Sequence, residues 1–156
     1  MPTFDYTFTV PASLETVRAF HHDTRVLKKL TPPPVFAQIH SYEPLAEDSR
    51  AEFTLWFGPL PLRWVAVHSD VSEHGFTDTQ VQGPLARWQH THRFTPVDAH
   101  RTRISEHIEY EHKSGPWGWF TRLLFGKPGL WALFTARRML TLWYLSRQKR
   151  AERAKK

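Results

Sequence analysis

The chain has 156 residues, of which 40% are hydrophobic and 23% are charged, so it is long enough for one globular domain with a substantial core. It contains no cysteine, which excludes disulfide frameworks, thiolate metal sites and cysteine nucleophiles and favours a reducing, cytoplasmic location. The net charge of +6 is concentrated in residues 147–156, where six residues are Lys or Arg and one is Glu. A nucleic-acid-binding domain spreads positive charge over a face of its fold. We therefore expect no nucleic-acid partner and interpret the basic tail as the solvated, fraying end of a helix.

The sequence predicts neither a secretory leader nor a membrane-spanning helix. The first ten residues lack the basic segment and following apolar run of a signal peptide. The most apolar candidate for a span, residues 130–145, is shorter than the roughly 20 residues that a bilayer requires. It also carries Arg137 and Arg138 at its centre.

The N-terminal part of the chain predicts one strand and two short helices. Residues Thr3–Val10 alternate apolar and polar side chains, which is typical of a strand with one buried face. Pro11 suits the first position of a helix, because its missing N–H group has no acceptor there. A second helix is predicted over about Thr24–Leu30, and it ends before the prolines at 32–34.

After the prolines the hydrophobic period is two, which predicts six further strands: Val35–Tyr42, Arg50–Phe57, Leu62–Ser72, Phe76–Gln82, Arg87–Thr95 and Thr102–Glu111. The connections between them are short, so neighbouring strands are expected to be antiparallel. The rest, from Trp117 to about Arg150, is predicted to be helical with an interruption at residues 126–129. This order predicts a single α+β domain over residues 1–156, in which a seven-stranded antiparallel sheet packs against a long C-terminal helix.

Alternation along the strands indicates which side chains face that helix. On the last three predicted strands the inward positions include Asp78, Gln80, Trp88, His90, His92, Glu106, Ile108 and Tyr110. Three-residue loops between these strands would place Asp78, His92 and Glu106 in one row across the sheet. The same loops would place Gln80 opposite His90. A tight turn at His74-Gly75 would extend this surface with the odd-numbered residues of the preceding strand, namely Val65, Val67, Ser69 and Val71.

On the C-terminal helix, Phe134 and Arg137 lie on the stripe that is expected to face the sheet, whereas Arg138 lies to its side. An unpaired buried charge costs several kcal/mol, so the inward ionisable groups must satisfy one another or line a polar part of a cavity. We interpret them as a network that orients a ligand, and we expect the eight inward residues named on the last three strands, together with Phe134 and Arg137, to bind it. A purely structural network that fixes strand register is the alternative.

Several segments resemble a bacterial subgroup of the SRPBCC superfamily, the START-like and polyketide cyclase/dehydrase proteins. These segments are GFTDTQVQGPL at 75–85, WQHTHRF at 88–94, TRISEHIEY at 102–110 and the Phe134…Arg137 pair. The resemblance extends over essentially the whole chain. It implies a helix-grip fold, in which a curved seven-stranded sheet wraps around the C-terminal helix and encloses an elongated apolar cavity. Subgroup members often carry Asp where this chain has Glu106.

The first hypothesis for function is binding of an apolar or amphipathic small molecule, such as a lipid, an isoprenoid or a polyketide. Aromatic residues make up 14% of the chain and suit a concave apolar pocket. The second hypothesis is a cyclase or dehydratase in which His92 acts as acid or base between Asp78 and Glu106. In that enzyme Arg137 or Tyr110 would stabilise an enolate.

Two further patterns are less specific. His90-x-His92 with Asp78 or Glu106 has the ligand types of a metal site, but the pattern is short, and we expect neither a metal nor another cofactor. The apolar segment Trp117–Phe125 and the basic tail would suit a peripheral membrane contact, as in a lipid carrier. A helix that covers the cavity mouth explains the same segment. No GxSxG motif or Gly-rich strand–helix turn is present, so serine hydrolase, P-loop and dinucleotide-binding functions are not predicted.

Overall fold

The computed structural model describes residues 1–154. Within that range the strands are β1 (Thr3–Val10), β2 (Val35–Tyr42), β3 (Arg50–Phe57), β4 (Leu60–Ser72), β5 (Gly75–Gln82), β6 (Arg87–Asp98) and β7 (Arg101–Glu111). The helices are α1 (Leu14–His21), α2 (Val26–Leu30), α3 (Gly115–Phe125) and α4 (Lys127–Ala154). The strands form one antiparallel sheet in the order β1-β7-β6-β5-β4-β3-β2. The predicted α+β helix-grip architecture is confirmed.

The core lies on the inner face of this sheet and consists of two apolar clusters. One cluster joins α4 to the middle strands through residues such as Phe134, Leu130 and Ile108. The other, which includes Phe94 and Ile104, packs under α1, α2 and the second half of α4. Full burial of each such side chain contributes about 1.5–3 kcal/mol. Residues of both clusters line the candidate site described below.

Helix α1 begins later than predicted. The predicted start at Pro11 is wrong, because Ser13 is the N-cap and its Oγ accepts a hydrogen bond of 3.3 Å from the backbone N–H of Thr16. The first helical residue is therefore Leu14. The second helix also begins slightly later than predicted, at Val26.

The predicted interruption at residues 126–129 is reduced to one residue. Gly126 alone separates α3 from α4, which starts at Lys127. Pro128 is tolerated because it lies in the first turn of α4, where a backbone N–H has no acceptor within the helix. Helix α4 then continues to Ala154, so the basic tail is helical as far as that residue, and tail residues 155–156 lie outside the described part.

The pairing of β6 with β7 agrees with the prediction beyond its first residues. His92 pairs with Glu106, as expected, although the turn differs. Asp98 pairs with Arg101 across two residues instead of three, and a β-bulge at Val97 adds the missing residue to β6. The bulge therefore restores the predicted register for the rest of the hairpin.

The pairing of β5 with β6 differs from the prediction by two residues. Asp78 lies opposite His90 rather than His92, so the predicted pairing of Gln80 with His90 is wrong. The cause is the loop, which the Gln80 side chain closes by donating a 3.0 Å hydrogen bond to the carbonyl of Leu85 and accepting one from its N–H. Because the pairing is shifted by an even number of residues, each side chain of β5 stays on the same face of the sheet but lies opposite a different residue of β6.

The inner face of β4 is the opposite of the predicted one. The buried residues are Leu62, Trp64, Ala66 and His68, whereas the predicted set was Val65, Val67, Ser69 and Val71. An irregularity between Ser69 and Ser72 contains Asp70 with a positive φ of 52°, and it shifts the strand by one residue. A one-residue shift exchanges the two faces of a strand. The Glu47 carboxylate accepts hydrogen bonds from two N–H groups of this bulge, those of Asp70 and Val71.

Among residues 1–154, no helix is long and apolar enough to cross a membrane.

Candidate functional site

A cavity of about 140 Å³ lies between the inner face of the sheet and the four helices. Its apolar lining consists of Val26, Leu27, Leu30, Leu45, Ala51, Phe53, Leu55, Trp64, Ala66, Phe76, Trp88, Phe125 and Leu133. Its polar lining consists of His21, Thr24, His68, Asp78, His90, His92 and Arg137. The volume is close to that of the ~150 Å³ apolar cavity known to hold one benzene molecule. The cavity is not fully enclosed, so in this conformation it can hold one ring or an alkyl chain of a larger molecule whose remainder extends from its opening.

Four side chains on β5, β6 and β7 form an ionic cluster at this cavity: Asp78, His90, His92 and Glu106. Oδ2 of Asp78 lies 3.1 Å from Nε2 of His92 and 3.7 Å from Nδ1 of His90. Oε2 of Glu106 lies 2.8 Å from Nε2 of His90 and 2.8 Å from Nδ1 of His92. Each imidazole therefore bridges the two carboxylates. The predicted proximity of Asp78, His92 and Glu106 is confirmed.

Only some of the contacts within this cluster have the geometry of a hydrogen bond. His90 and Glu106 form a hydrogen bond, and so do His92 and Asp78. The short contact between Nδ1 of His92 and Glu106 is an ion-pair contact that is poorly aligned, so this nitrogen has no hydrogen-bond partner among the described residues. Hydrogen bonds weaken steeply as the angle at hydrogen falls, so the attraction between these two groups is that of an ion pair.

The two histidines of the cluster differ in their protonation. Burial lowers the pKa of His92, but the Glu106 charge and the hydrogen bond with Asp78 outweigh burial and raise this pKa to about 9. Burial and the charge of His92 lower the pKa of His90, which is therefore neutral at pH 7. Burial raises the pKa of the Asp78 and Glu106 carboxyl groups, but the adjacent histidines hold both pKa values below their usual range. At neutral pH the cluster thus contains two carboxylates, one imidazolium and one neutral imidazole.

Arg137 extends from α4 into the cavity beside this cluster. Its Nε is buried and has no hydrogen-bond partner in the part of the chain that the structure describes. Its guanidinium carbon lies 5.3 Å from the ring centre of Phe134, within cation–π range. Burial lowers the pKa of Arg137, and the charges of Glu106 and Asp78 oppose that shift. The two carboxylates are therefore balanced by two cations, Arg137 and the His92 imidazolium.

Ten residues were predicted to bind the ligand, and five of them line the cavity: Asp78, Trp88, His90, His92 and Arg137. Four others are buried behind that wall: Glu106, Ile108, Tyr110 and Phe134. Glu106 reaches the site through the ionic cluster, and the other three belong to the apolar core. The side chain of Gln80 is bonded to Leu85 in the β5–β6 loop and does not line the cavity.

Two cavity histidines, His21 and His68, are absent from the predicted set. Nδ1 of His21 donates a 2.9 Å hydrogen bond to the carbonyl of Val17, and burial lowers the pKa of His21 to about 4. His21 is therefore neutral, with its lone pair on Nε2. Its position four residues after Val17, on the apolar stripe of α1, was the available signal. His68 was missed because β4 was predicted with its faces exchanged.

The arrangement combines an apolar, aromatic space with proton donors and acceptors that contact it. A protonated His92 and Arg137 provide positive charge, whereas Asp78 and the neutral His21 provide lone pairs. Such a cavity can hold an apolar body and orient a few polar atoms.

The fold agrees with those of solved structures. A START superfamily protein from Mycobacterium smegmatis is similar with a TM-score of 0.71 and 14% identity, covering 94% of this chain and 98% of that one. The protein TTHA0849 from Thermus thermophilus has a TM-score of 0.68 and 19% identity over 92% of this chain and 99% of that one. The Zhui aromatase/cyclase from Streptomyces sp. R1128 has a TM-score of 0.64 and 14% identity, covering 90% and 88%. No curated protein sequence matches the chain. At such identities the likeness concerns the fold alone.

The family assignment rests on a match between this sequence and the sequence model of a protein family. The model described as "Polyketide cyclase / dehydrase and lipid transport" matches residues 10–131, which include strands β2–β7 and most of the cavity lining. The match covers most of the chain and agrees with the helix-grip fold. The chain therefore belongs to the polyketide cyclase/dehydrase and lipid transport family.

Proposed function

We propose that the chain binds a small apolar or amphipathic molecule, of lipid, isoprenoid or polyketide type, with an aromatic or alkyl body and an acceptor oxygen near Arg137. The observation that carries this proposal is the lining of the cavity, where the apolar wall is interrupted by one group of charged side chains. Natural ligand sites share this composition, because apolar walls supply affinity and a few polar groups fix orientation.

The apolar body of the ligand would contact three aromatic side chains, Trp64, Trp88 and Phe125. Their ring centres lie 5.5 to 6.0 Å apart, and the Trp64–Trp88 pair is edge-to-face. Large flat side chains of this kind present wide contact area with few rotatable bonds. We therefore favour ligands that contain a planar ring.

The acceptor oxygen of the ligand would bind the guanidinium of Arg137. Burial of a guanidinium whose Nε lacks a partner is costly, and a carbonyl, phenolate or carboxylate oxygen would relieve that cost. This would orient the ligand with its polar end toward the ionic cluster.

A cavity-filling substitution tests the proposal. Ala66 lines the cavity, whereas Val67, the next residue of β4, lies on the opposite face. We expect wild-type protein to bind an apolar fluorescent naphthylamine dye saturably, Ala66→Trp to abolish that binding, and Val67→Trp to retain it. Circular dichroism would verify that both variants fold. Absence of saturable binding in the wild type, or equal binding by both variants, would contradict the proposal.

An acid–base enzyme of cyclase or dehydratase type is the second candidate, favoured by the pairing of a neutral and a protonated histidine at the cavity. The ring centres of His21 and His92 lie 6.4 Å apart. Both nitrogens of His92 already face carboxylates, so the base role suits Nε2 of His21 better. In a dehydration, His21 would remove the proton next to a carbonyl, and Arg137 would stabilise the enolate. His21 would then return that proton to the β-hydroxyl, so that the C–O bond breaks and water leaves. Loss of β-hydroxyketone dehydration in His21→Phe but not in His68→Phe would support this role.

A peripheral membrane contact would suit a lipid carrier and is supported by exposed apolar residues on α3 and α4. Trp119 and Leu123 are 80% and 75% exposed, and on α4 Trp131 and Met139 are 61% and 67% exposed. Tryptophan is favoured at the membrane interface, and basic residues at the end of α4 would attract anionic lipids. Within the Trp117–Phe125 segment, Phe125 lines the cavity, whereas Trp119 faces outward, where it could contact a membrane.

A further inference from the structure

We infer that Asp78, His90 and His92 form a binding site for a divalent transition metal ion with two imidazole ligands and one carboxylate ligand. One potential ligand atom of each residue lies within 4.8 Å of the other two. All three residues line the cavity, so an ion can reach them from its interior. The inference goes beyond the proposed ligand binding and does not depend on it.

The contacts indicate which atoms would hold the ion. Oδ2 of Asp78 faces Nδ1 of His90 at 3.7 Å and Nε2 of His92 at 3.1 Å. In a tetrahedral site with metal–ligand bonds of about 2.0–2.2 Å, the ligand atoms lie about 3.3–3.6 Å from one another. Both separations from Oδ2 of Asp78 differ from that range by only a few tenths of an ångström. Binding would require small rotations of the side chains and release of the proton that Nε2 of His92 shares with Asp78.

Glu106 is suitably located to support both imidazole ligands from behind. Its Oε2 contacts Nε2 of His90 and Nδ1 of His92, the two ring nitrogens that do not face Asp78. Histidines that bind metals commonly donate their other N–H group to a carboxylate, which fixes the tautomer and the ring orientation. Glu106 already accepts such a hydrogen bond from His90, and realignment of its 2.8 Å contact with Nδ1 of His92 would let it support both ligands. Glu106 does not line the cavity, which is why Asp78 is the carboxylate that we assign to the ion.

The position of the three ligands on one wall leaves a further coordination position facing the cavity. Three protein ligands with an open position are typical of catalytic metal sites, whereas structural zinc sites have four. Water or an oxygen of a bound organic molecule would occupy that position. Imidazole and carboxylate ligands suit Zn²⁺ and Fe²⁺ better than Ca²⁺ or Mg²⁺.

Calorimetric titration with ZnCl₂ tests the site on the full chain after removal of bound metals with a chelator. We expect one Zn²⁺ per chain. Asp78→Asn should weaken binding by about 100-fold or more, and Glu106→Gln by about 10- to 100-fold, because outer partners usually contribute that much. The control is His107→Asn, which removes an exposed histidine that lies 2.7 Å from Asp5 outside the cavity. This variant should bind Zn²⁺ as the wild type does.

NMR of the wild-type histidine rings provides a second test that needs no substitution. On addition of Zn²⁺, the ¹⁵N resonances of Nδ1 in His90 and Nε2 in His92 should shift to metal-bound positions. Absence of stoichiometric binding, unchanged affinity in Asp78→Asn, loss of binding in His107→Asn, or coordination through the opposite ring nitrogens would overturn the inference. Zn²⁺ binding without any dye binding would refute the proposed function and leave the metal site intact. The converse result would refute only the metal site.

Discussion

Glu106 accepts a 2.8 Å hydrogen bond from Nε2 of His90, and both side chains are more than nine-tenths buried. The same carboxylate oxygen also contacts the protonated His92. A buried carboxylate is stable only when its charge is compensated in this way. Glu106 therefore holds β6 and β7 together at the floor of the site as well as setting its charge.

Replacement of Glu106 by Leu should destabilise the fold strongly. The substitution leaves the buried His92 imidazolium with Asp78 as its remaining carboxylate partner. We expect the free energy of unfolding, measured in urea, to fall by about 3–5 kcal/mol. Glu109→Leu is the control, since Glu109 lies half-buried on the other face of β7 and pairs with the exposed Arg87. That change should cost less than about 1 kcal/mol. Equal losses would show that the buried cluster contributes nothing beyond a surface ion pair.

Arg137→Leu should discriminate between charged and uncharged ligands. We expect anilinonaphthalene sulfonate, which is an anion, to bind about 10-fold more weakly, a loss of about 1.4 kcal/mol. The uncharged N-phenyl-1-naphthylamine should change by much less, because its binding depends on the apolar wall. Arg138→Leu, which alters the exposed neighbour of Arg137, should leave both affinities unchanged. Equal weakening of both dyes by Arg137→Leu would assign Arg137 a structural role instead.

His21 should make the protein sensitive to mild acid. Its pKa is about 4 in the fold against 6.5 in the unfolded chain, so the unfolded state binds the proton more tightly. Stability due to this residue is therefore complete above pH 6.5 and is lost as the pH falls toward 4, by about 3 kcal/mol. The groups whose charges act on it are Glu106, His92 and His22.

The measurement for His21 is urea unfolding between pH 7 and 4 in the presence of a chelator. His21→Phe keeps the aromatic contacts with Phe94 and Phe20, whose ring centres lie 5.0 and 5.2 Å away. Its stability should decline less over this range than that of the wild type, and the difference isolates His21 from the carboxylates. Parallel curves for the two proteins would contradict the assignment.

The membrane contact predicts separate apolar and electrostatic contributions. In sedimentation with anionic phospholipid vesicles, replacing Trp119 and Leu123 by Ala should weaken binding at every salt concentration. Removal of residues 147–156 should abolish the salt-sensitive part of the binding. The fold should survive that truncation, because Leu145 is the last core residue of α4 among the side chains that the structure describes.

Phe36→Ala is the control for these vesicle experiments. Phe36 is 57% exposed, but it lies on the edge strand β2, away from α3 and α4. Vesicle binding should be unaffected by this substitution. Salt-sensitive binding that persists after the truncation would instead attribute the electrostatic contribution to residues before 147.

Strand positions were predictable from the sequence because each strand has one buried face, and period-two alternation records it directly. The row that contains His92 and Glu106 was also predictable, even though the turn was not. The expected three-residue loop and the observed two-residue turn with a bulge at Val97 contain the same number of residues. The register of this hairpin therefore depends on the number of residues between the paired parts of the two strands, and that number is known from the sequence.

The remaining errors in the predicted strand pairing arise where a side-chain hydrogen bond or one extra backbone residue interrupts the regular pairing of two strands. Gln80 closes the β5–β6 loop through its own amide, and this displaced Asp78 from the predicted row. Asp70 adopts a positive φ in β4, although alternation alone gives no sign of it. His21 was missed for a different reason, because on an apolar helical stripe a histidine resembles an ordinary core residue. These are local hydrogen-bonding and backbone effects that hydrophobic patterning does not encode.

The bulge at Asp70 also determines which chemical groups the cavity contains. With it, β4 presents Trp64, Ala66 and His68 to the interior. If Asp70 were retained but paired regularly with β5, every preceding residue of β4 would move by one position, and the strand would present Val65, Val67 and Ser69 instead. Trp64 and His68 would leave the cavity while the other strands kept their places. A substitution that abolishes the bulge without changing the length of the chain is therefore a short evolutionary route from this binding specificity to a different one.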